Sequence, residues 1–455
     1  MRWIALLACL SGCTPKVSEA PIQLVDNSLS RVLAEPFKQP RSAVDLDPNP
    51  DVLRLRLVAR ALPEDHPSGF RYAYNGQTPG PTIEAELGQT LEVELVNELT
   101  RGTTIHWHGL HVPNAMDGVP WQRGPVAPGA TFLYRFELNQ AGTFWYHPHF
   151  NTEGQVDGGL FGALIVRDPA DEPADHDLVA IMDSRAEARP DPAQPVGPAH
   201  GHARLKRQWL MNGHSPGHLN VQAGERVRLR MINVSNHGYL KLNGDSARLV
   251  ATDQGPLEIA RWAQDEVLGP GDRAEIELLV GREPIQLSSL PYSLNGGDSL
   301  GPAQPLFEVR PSGTQPAPVP LSLRSAGRVQ HPDPGYADIV WTFTGSDRTG
   351  RWYINGKRFP QITPVEVRLG QTVIIEVRNL SPTDHPYHLH GYSFEVLSRN
   401  GVAPDSPTYE DTINLAIRER VRLRIVANNP GDWMSHCHIL PHAEDGMMTV
   451  LRVID

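Results

Sequence analysis

Cysteine is scarce in this chain: three residues in 455, namely Cys9, Cys13 and Cys437. Two of them lie at the extreme N-terminus, so no disulfide framework organises the body of the chain, and Cys437 is left there as an unpaired thiol. Long hydrophobic runs are missing as well. The apolar stretch from Trp3 to Leu10 is too short to cross a bilayer as a helix, and no later segment approaches that length. Positive charge is in deficit, with 41 basic against 52 acidic residues and a net charge of −11. A chain of that sign does not hold nucleic acid by phosphate neutralisation. What is plentiful is turn residues, 42 Pro and 40 Gly, which favour short strands over long helices. With 40% hydrophobic and 20% charged residues the chain is a folded one, long enough at roughly 100–200 residues per domain for three or four domains.

The first thirteen residues carry one Arg, the short apolar run and then Leu10-Ser11-Gly12-Cys13. This make-up is that of an export signal, and its last four residues resemble a bacterial lipobox. The resemblance implies cleavage before Cys13, acylation of its sulfur, and a lipoprotein facing the bacterial periplasm. Residues 14–50 are polar and Pro-bearing and read as a tether.

Beyond the tether one pattern recurs three times. Asn75-Gly76, Asn212-Gly213 and Asn355-Gly356 are each followed by a glycine (Gly88, Gly224, Gly370), an alternating run, and an asparagine nine residues after that glycine (Asn97, Asn233, Asn379). Period-two alternation between turn residues predicts half-buried strands. Three copies predict an all-β chain of three consecutive Greek-key β-sandwich domains, at 51–170, 171–329 and 330–455, with Pro-rich linkers at Arg185–His202 and Leu300–Gly335.

The 19 histidines are placed far from randomly. Four His-x-His pairs occur in the first and third repeats: His106/His108, His147/His149, His388/His390 and His436/His438. On a strand, residues two apart share a face, so each pair presents two imidazoles side by side, and eight such rings can hold more than one metal. Cys437 lies between His436 and His438 and points to the opposite face. His385, three residues before His388, shares that odd parity. With His442 and Met447 they make a His₂Cys set with a weak axial thioether, the donor set of a copper electron-transfer site. An electron arriving at Cys437 has a short covalent route to both flanking histidines. His111 has the wrong parity for a ligand, His200 and His202 form a fifth pair in a Pro-rich linker, and His214, His218 and His237 have no metal spacing.

His106-Trp107-His108-Gly109, His147-Pro148-His149, His385-Pro386-Tyr387-His388-Leu389-His390-Gly391 and His436-Cys437-His438-Ile439-Leu440-Pro441-His442 resemble the four copper motifs of three-domain multicopper oxidases. The resemblance implies cupredoxin-like domains and four copper ions. His385, Cys437 and His442, with Met447 axial, would bind a type 1 copper. His106 and His388 would bind a type 2 copper, and His108, His147, His149, His390, His436 and His438 a type 3 pair. It also implies one-electron oxidation of a small-molecule donor (phenols, aromatic amines or Cu(I)), coupled to four-electron reduction of O₂ to water, in a monomer. Asp117 matches the acidic residue that the family carries after its first motif, a proton donor. In spore-coat and copper-efflux members a Glu directly follows the histidine matching His442. Here that position is Ala443, with Glu444 and Asp445 just beyond, so the second donor is left open, with Glu444 as the candidate. The rival readings are a cuprous oxidase and a copper-free cupredoxin scaffold. The eight methionines form no cluster outside the copper motifs, so organic donors are expected to reach the type 1 edge near His442 directly.

Overall fold

The computed structural model describes residues 33–186, 207–244, 246–299, 301–320, 327–346 and 348–455. Cys9, Cys13, the start of the tether, His200 and His202 lie outside the described residues. The described chain is almost entirely strand, with short helices only at Pro120–Arg123, Thr152–Asp157 and Leu440–Glu444, besides a 3₁₀ turn at Asn114–Met116. Three pairs of sheets follow one another along the sequence: four and four strands, six and five, then six and five.

The repeat is explained by turns and anchors. Asn75, Asn212 and Asn355 have φ of 52, 53 and 51°, and each is followed by a glycine at 70–77°. Two consecutive positive φ values make the tight hairpin turn that Asn-Gly favours. Each of these asparagines also bridges to a neighbouring strand. The side-chain oxygens accept from Val58, Ile181 and Thr342 N–H at 2.7, 2.8 and 2.7 Å. The second asparagine of each copy is fully buried, and its amide donates to at least two backbone carbonyls, for example Asn97 to Arg101 and Val126 at 2.8 Å. In every sandwich the strand ending in that asparagine pairs in parallel with the sandwich's first long strand: Val52–Ala61 with Thr90–Asn97, His176–Ala186 with Arg226–Asn233, Ile339–Ser346 with Thr372–Asn379.

Two expectations change. Residues 33–50 do not all hang free. Leu33 is buried, Phe37 packs edge-on against Phe307 at 5.4 Å, and backbone bridges join Pro36 to His218 and Ser42 to Thr82. The segment therefore straps the second sandwich to the first. The linker expected at Leu300–Gly335 begins later, because Gln304–Ser312 is an interior strand of the second sandwich, with Leu306, Phe307 and Val309 fully buried. Prolines at both ends of that strand obscure its apolar alternation.

Candidate metal centre

Strand register builds the centre. His106–His108 is the edge strand of its sheet and pairs with Gly142–His147 so that His106 faces His147. In the third sandwich His385–Leu389 pairs with Gly431–Cys437, setting Tyr387 opposite Cys437 and His388 opposite His436. The pleat then sends His388 and His436 to one side and Cys437 to the other.

On the first side the two sandwiches interleave their imidazoles. His106 stacks on His390 and His108 on His388, both at 3.8 Å between ring centroids. His106 and His388 bring their Nε2 atoms to 3.5 Å, and His390 and His436 to 3.1 Å. Three groups of ring nitrogens converge to within 4.8 Å: His106, His108 and His388; His108, His147 and His438; His149, His390 and His436. On the other side His385 Nδ1, Cys437 Sγ and His442 Nδ1 form a triangle with edges of 3.3, 3.8 and 3.3 Å. Met447 is buried in the same apolar cluster as Cys437.

The rings are held by their far nitrogens. The Nδ1–H groups of His106, His147, His388 and His436 donate to the carbonyls of Asp117, Pro148, Asp411 and Cys437 at 2.8–3.0 Å. His390 Nδ1 donates to Asp117 Oδ2 at 2.9 Å, and His385 Nε2 donates to Ser381 Oγ at 2.7 Å. Such contacts fix tautomer and ring orientation in metal-binding histidines. Burial and then neighbouring imidazoles hold His147, His149, His390, His436 and His438 well below their ordinary pKa, so the rings stay neutral, the form that binds metal. Burial pushes the Cys437 thiol up, so a thiolate there requires a cation beside it.

The donor set fits copper. His108 Nδ1, His147 Nε2, His149 Nε2 and both nitrogens of His438 are buried without a hydrogen-bond partner. Leaving buried polar atoms unpaired costs about 1–3 kcal/mol each, which metal coordination relieves. Imidazoles with a thiolate and a thioether suit copper's two oxidation states.

All the histidines singled out as ligands enter one or other assembly. Asp117 is fully buried at the imidazole cluster. Glu444 is not brought to it. This side chain is exposed, and its Oε1 accepts the backbone N–H of Glu153 at 2.9 Å. His111 points elsewhere, with Nε2 accepting from Ser393 N–H at 2.7 Å. The edge of His442 is narrower than expected, with 5% of its surface exposed and Trp352 stacked on its face at 3.9 Å. Sequence reasoning missed Asp411, whose Oδ1 accepts from His108 Nε2 at 3.0 Å, and Arg273, which is paired with Asp411. Although burial opposes it, the Arg273 guanidinium holds the Asp411 carboxyl well below the usual range. Neither residue sits at a fixed spacing from a His motif, so nothing in the sequence signalled them.

Residues 60–171 and 333–455 each match a family model described as multicopper oxidase. A multicopper oxidase of Staphylococcus epidermidis is 30% identical over 405 residues, covering 84% of this chain and 83% of that protein. A laccase of Pycnoporus cinnabarinus is 29% identical over 486 residues, covering 88% and 89%. Among solved structures, the Campylobacter jejuni multicopper oxidase, described as a metallo-oxidase, superposes with a TM-score of 0.79 at 27% identity, covering 93% of this chain and 96% of that one. With both motif-bearing sandwiches matched and the imidazole and thiol geometry in place, the chain belongs to the multicopper oxidases, copper-dependent oxidoreductases that use O₂.

Proposed function

We propose that this enzyme is laccase-like, taking single electrons from phenols or aromatic amines at the His385–Cys437–His442 triangle and delivering them to O₂ at the eight-imidazole cluster. The observation that carries this reading is Cys437 itself. Its sulfur closes the triangle, while its chain neighbours His436 and His438 belong to the cluster, so the two assemblies are joined by covalent bonds. His385, Cys437 and His442 with axial Met447 would hold one copper; His106 and His388 a second; and His108, His147, His149, His390, His436 and His438 a pair. Copper, when bound, supplies one-electron redox chemistry and the affinity for O₂.

The chain's own residues do the rest. Trp352 closes one face of His442, so a donor meets a ring edge. Packing around the cluster excludes bulk water. Asp117, buried beside His390, is the carboxyl placed to relay the protons that O₂ reduction consumes. A preference for organic donors over Cu(I) is supported by the methionines. Met182, Met211, Met231, Met434 and Met447 are buried, and Met116 and Met448 are partly buried, so among the described residues none forms an exposed thioether surface. The test is O₂ uptake with a phenol and with Cu(I), without copper beyond the bound ions. Faster turnover of the phenol is expected. A strong preference for Cu(I), or phenol turnover only with excess Cu(II), overturns the donor assignment and favours the cuprous oxidase. Export and anchoring through Cys13 extend this reading from the sequence alone; Cys13→Ser should release the protein from membranes with its oxidase activity intact.

A further inference from the structure

Among the eight imidazoles, His108 is anchored the other way round. Five rings donate through Nδ1 and turn Nε2 inward. The contacts of His108 are at Nε2, with Asp411 Oδ1 and Thr412 Oγ1 both at 3.0 Å, and its unpartnered Nδ1 is left for the centre. The reversed ring needs an acceptor beyond its own sandwich, and the third sandwich supplies it. That acceptor is fixed in turn from the second sandwich. Arg273 is fully buried, and every one of its five side-chain N–H groups is used. Both terminal nitrogens donate to the Asp411 carboxylate, Nη1 at 2.7 Å to Oδ1 and Nη2 to Oδ2. Their remaining hydrogens go to Gly271 O at 3.3 Å and Asp253 O at 2.9 Å, and Nε donates to Thr143 O of the first sandwich at 3.0 Å.

The surroundings are cut to this pair. A side chain at Gly109, which has φ +90°, would collide with Arg273 Nη2 and meet Asp411 Oδ2. Gly109 is thus required by the guanidinium as well as by the turn. Asp253 Oδ1 and Oδ2 accept the backbone N–H groups of Arg273 at 2.7 Å and Thr412 at 3.0 Å, tying the two strands together.

We propose that Arg273, in the sandwich that contributes no ligand, is a positioning residue for the imidazole cluster. Through Asp411 it selects the Nδ1-inward orientation of His108 and with it the docking of all three sandwiches around the copper. This rests on the reading that the cluster holds copper. Removing the guanidinium leaves Asp411 buried and uncompensated, free to turn away from His108. Lysine is no equivalent, because a single ammonium cannot make the two-pronged contact.

The experiment compares copper-loaded wild type, Arg273→Met, Arg273→Lys and Asp411→Asn by copper content after dialysis against a chelator, blue absorption, the electron paramagnetic resonance of the type 2 copper, and apo-protein melting. Arg273→Met and Asp411→Asn should keep the blue band and weaken retention of the cluster copper about 10–100-fold, with an altered type 2 signal. Arg273→Lys should lie between them and wild type. If Arg273→Met does not fold, Asp411→Asn and Arg273→Lys decide by the same measurements. Full copper with an unchanged type 2 signal in a folded variant overturns the proposal, as does loss of the blue band in step with the cluster copper, which marks general unfolding. A wild-type protein that binds copper only in its triangle refutes the underlying reading instead, before any variant is compared.

Discussion

The triangle and the cluster are built in opposite ways. His385, Cys437 and His442 come from one sandwich, and the largest sequence separation among them is 57 residues. The anchor of His385 is Ser381, four residues away. The cluster joins His106 to His388 across 282 residues, and the anchor of His108 lies 303 residues off. The first is therefore a property of one folded domain, and the second a property of how domains dock. Copper in the triangle should outlast small changes in docking that empty the cluster. On the proposed function, electron entry is then robust and O₂ reduction is contingent on assembly.

The largest expected effect breaks the link between the two. Cys437→Ser removes the thiolate from the triangle, so the intense blue band should vanish and turnover should drop to background with any donor. The cluster should still load copper, because its eight imidazoles are untouched. Retained blue colour would reassign the thiol. Asp117→Asn works from the cluster side. Electron transfer from donor to the blue site should be unchanged in stopped-flow, while steady-state O₂ uptake falls by about 10²–10⁴-fold for want of a positioned proton. If both rates fall together, Asp117 is structural. Met447→Leu acts on the triangle alone. Its potential should rise, since an apolar residue no longer stabilises Cu(II), and turnover should stay within about tenfold. A redox titration that shows no shift would move the axial role elsewhere.

The smallest effect tests docking without touching a ligand. His111 of the first sandwich accepts the Ser393 N–H of the third, and burial pulls its pKa down from 6.5 to about 4. Between those values the unfolded chain binds more protons than the folded one, so stability rises with pH. The contribution is complete above about pH 6.5 and is lost as pH falls through 4, worth about 1–3 kcal/mol. In His111→Gln the drop in denaturation midpoint between pH 7 and pH 4.5 should be smaller than in wild type. An equal drop would mean that this contact does not sense acid.

Much of this was legible because it is periodic. The Asn-Gly turns, the strands that end in buried asparagines and the two-residue spacing of the histidine pairs are local patterns, and a pleated strand turns spacing into direction. Charged alternation misleads. Arg228, Arg230, Glu275 and Glu277 read as the wet face of two strands, yet all four are buried. The first sandwich covers that face, with Arg230 reaching Thr143 at 3.1 Å and Glu275 at 2.6 Å. Arg273 continues the same row, opposite Ile232, and is buried with it. Glu444 failed differently. It is two residues from His442, but a helix of five residues turns it outward onto the Thr152–Asp157 helix.

By itself the sequence determined the alternating strands of the three repeats, the three-fold repetition and the face on which each paired histidine stands, because these follow from backbone geometry over a few residues. Only the tertiary structure decided which strand faces meet, that Asp411 rather than Glu444 lies at the cluster, and that a sandwich without ligands braces His108. Contacts between residues hundreds of positions apart depend on complementary shape and charge between folded surfaces, and no short-range pattern in the chain records them.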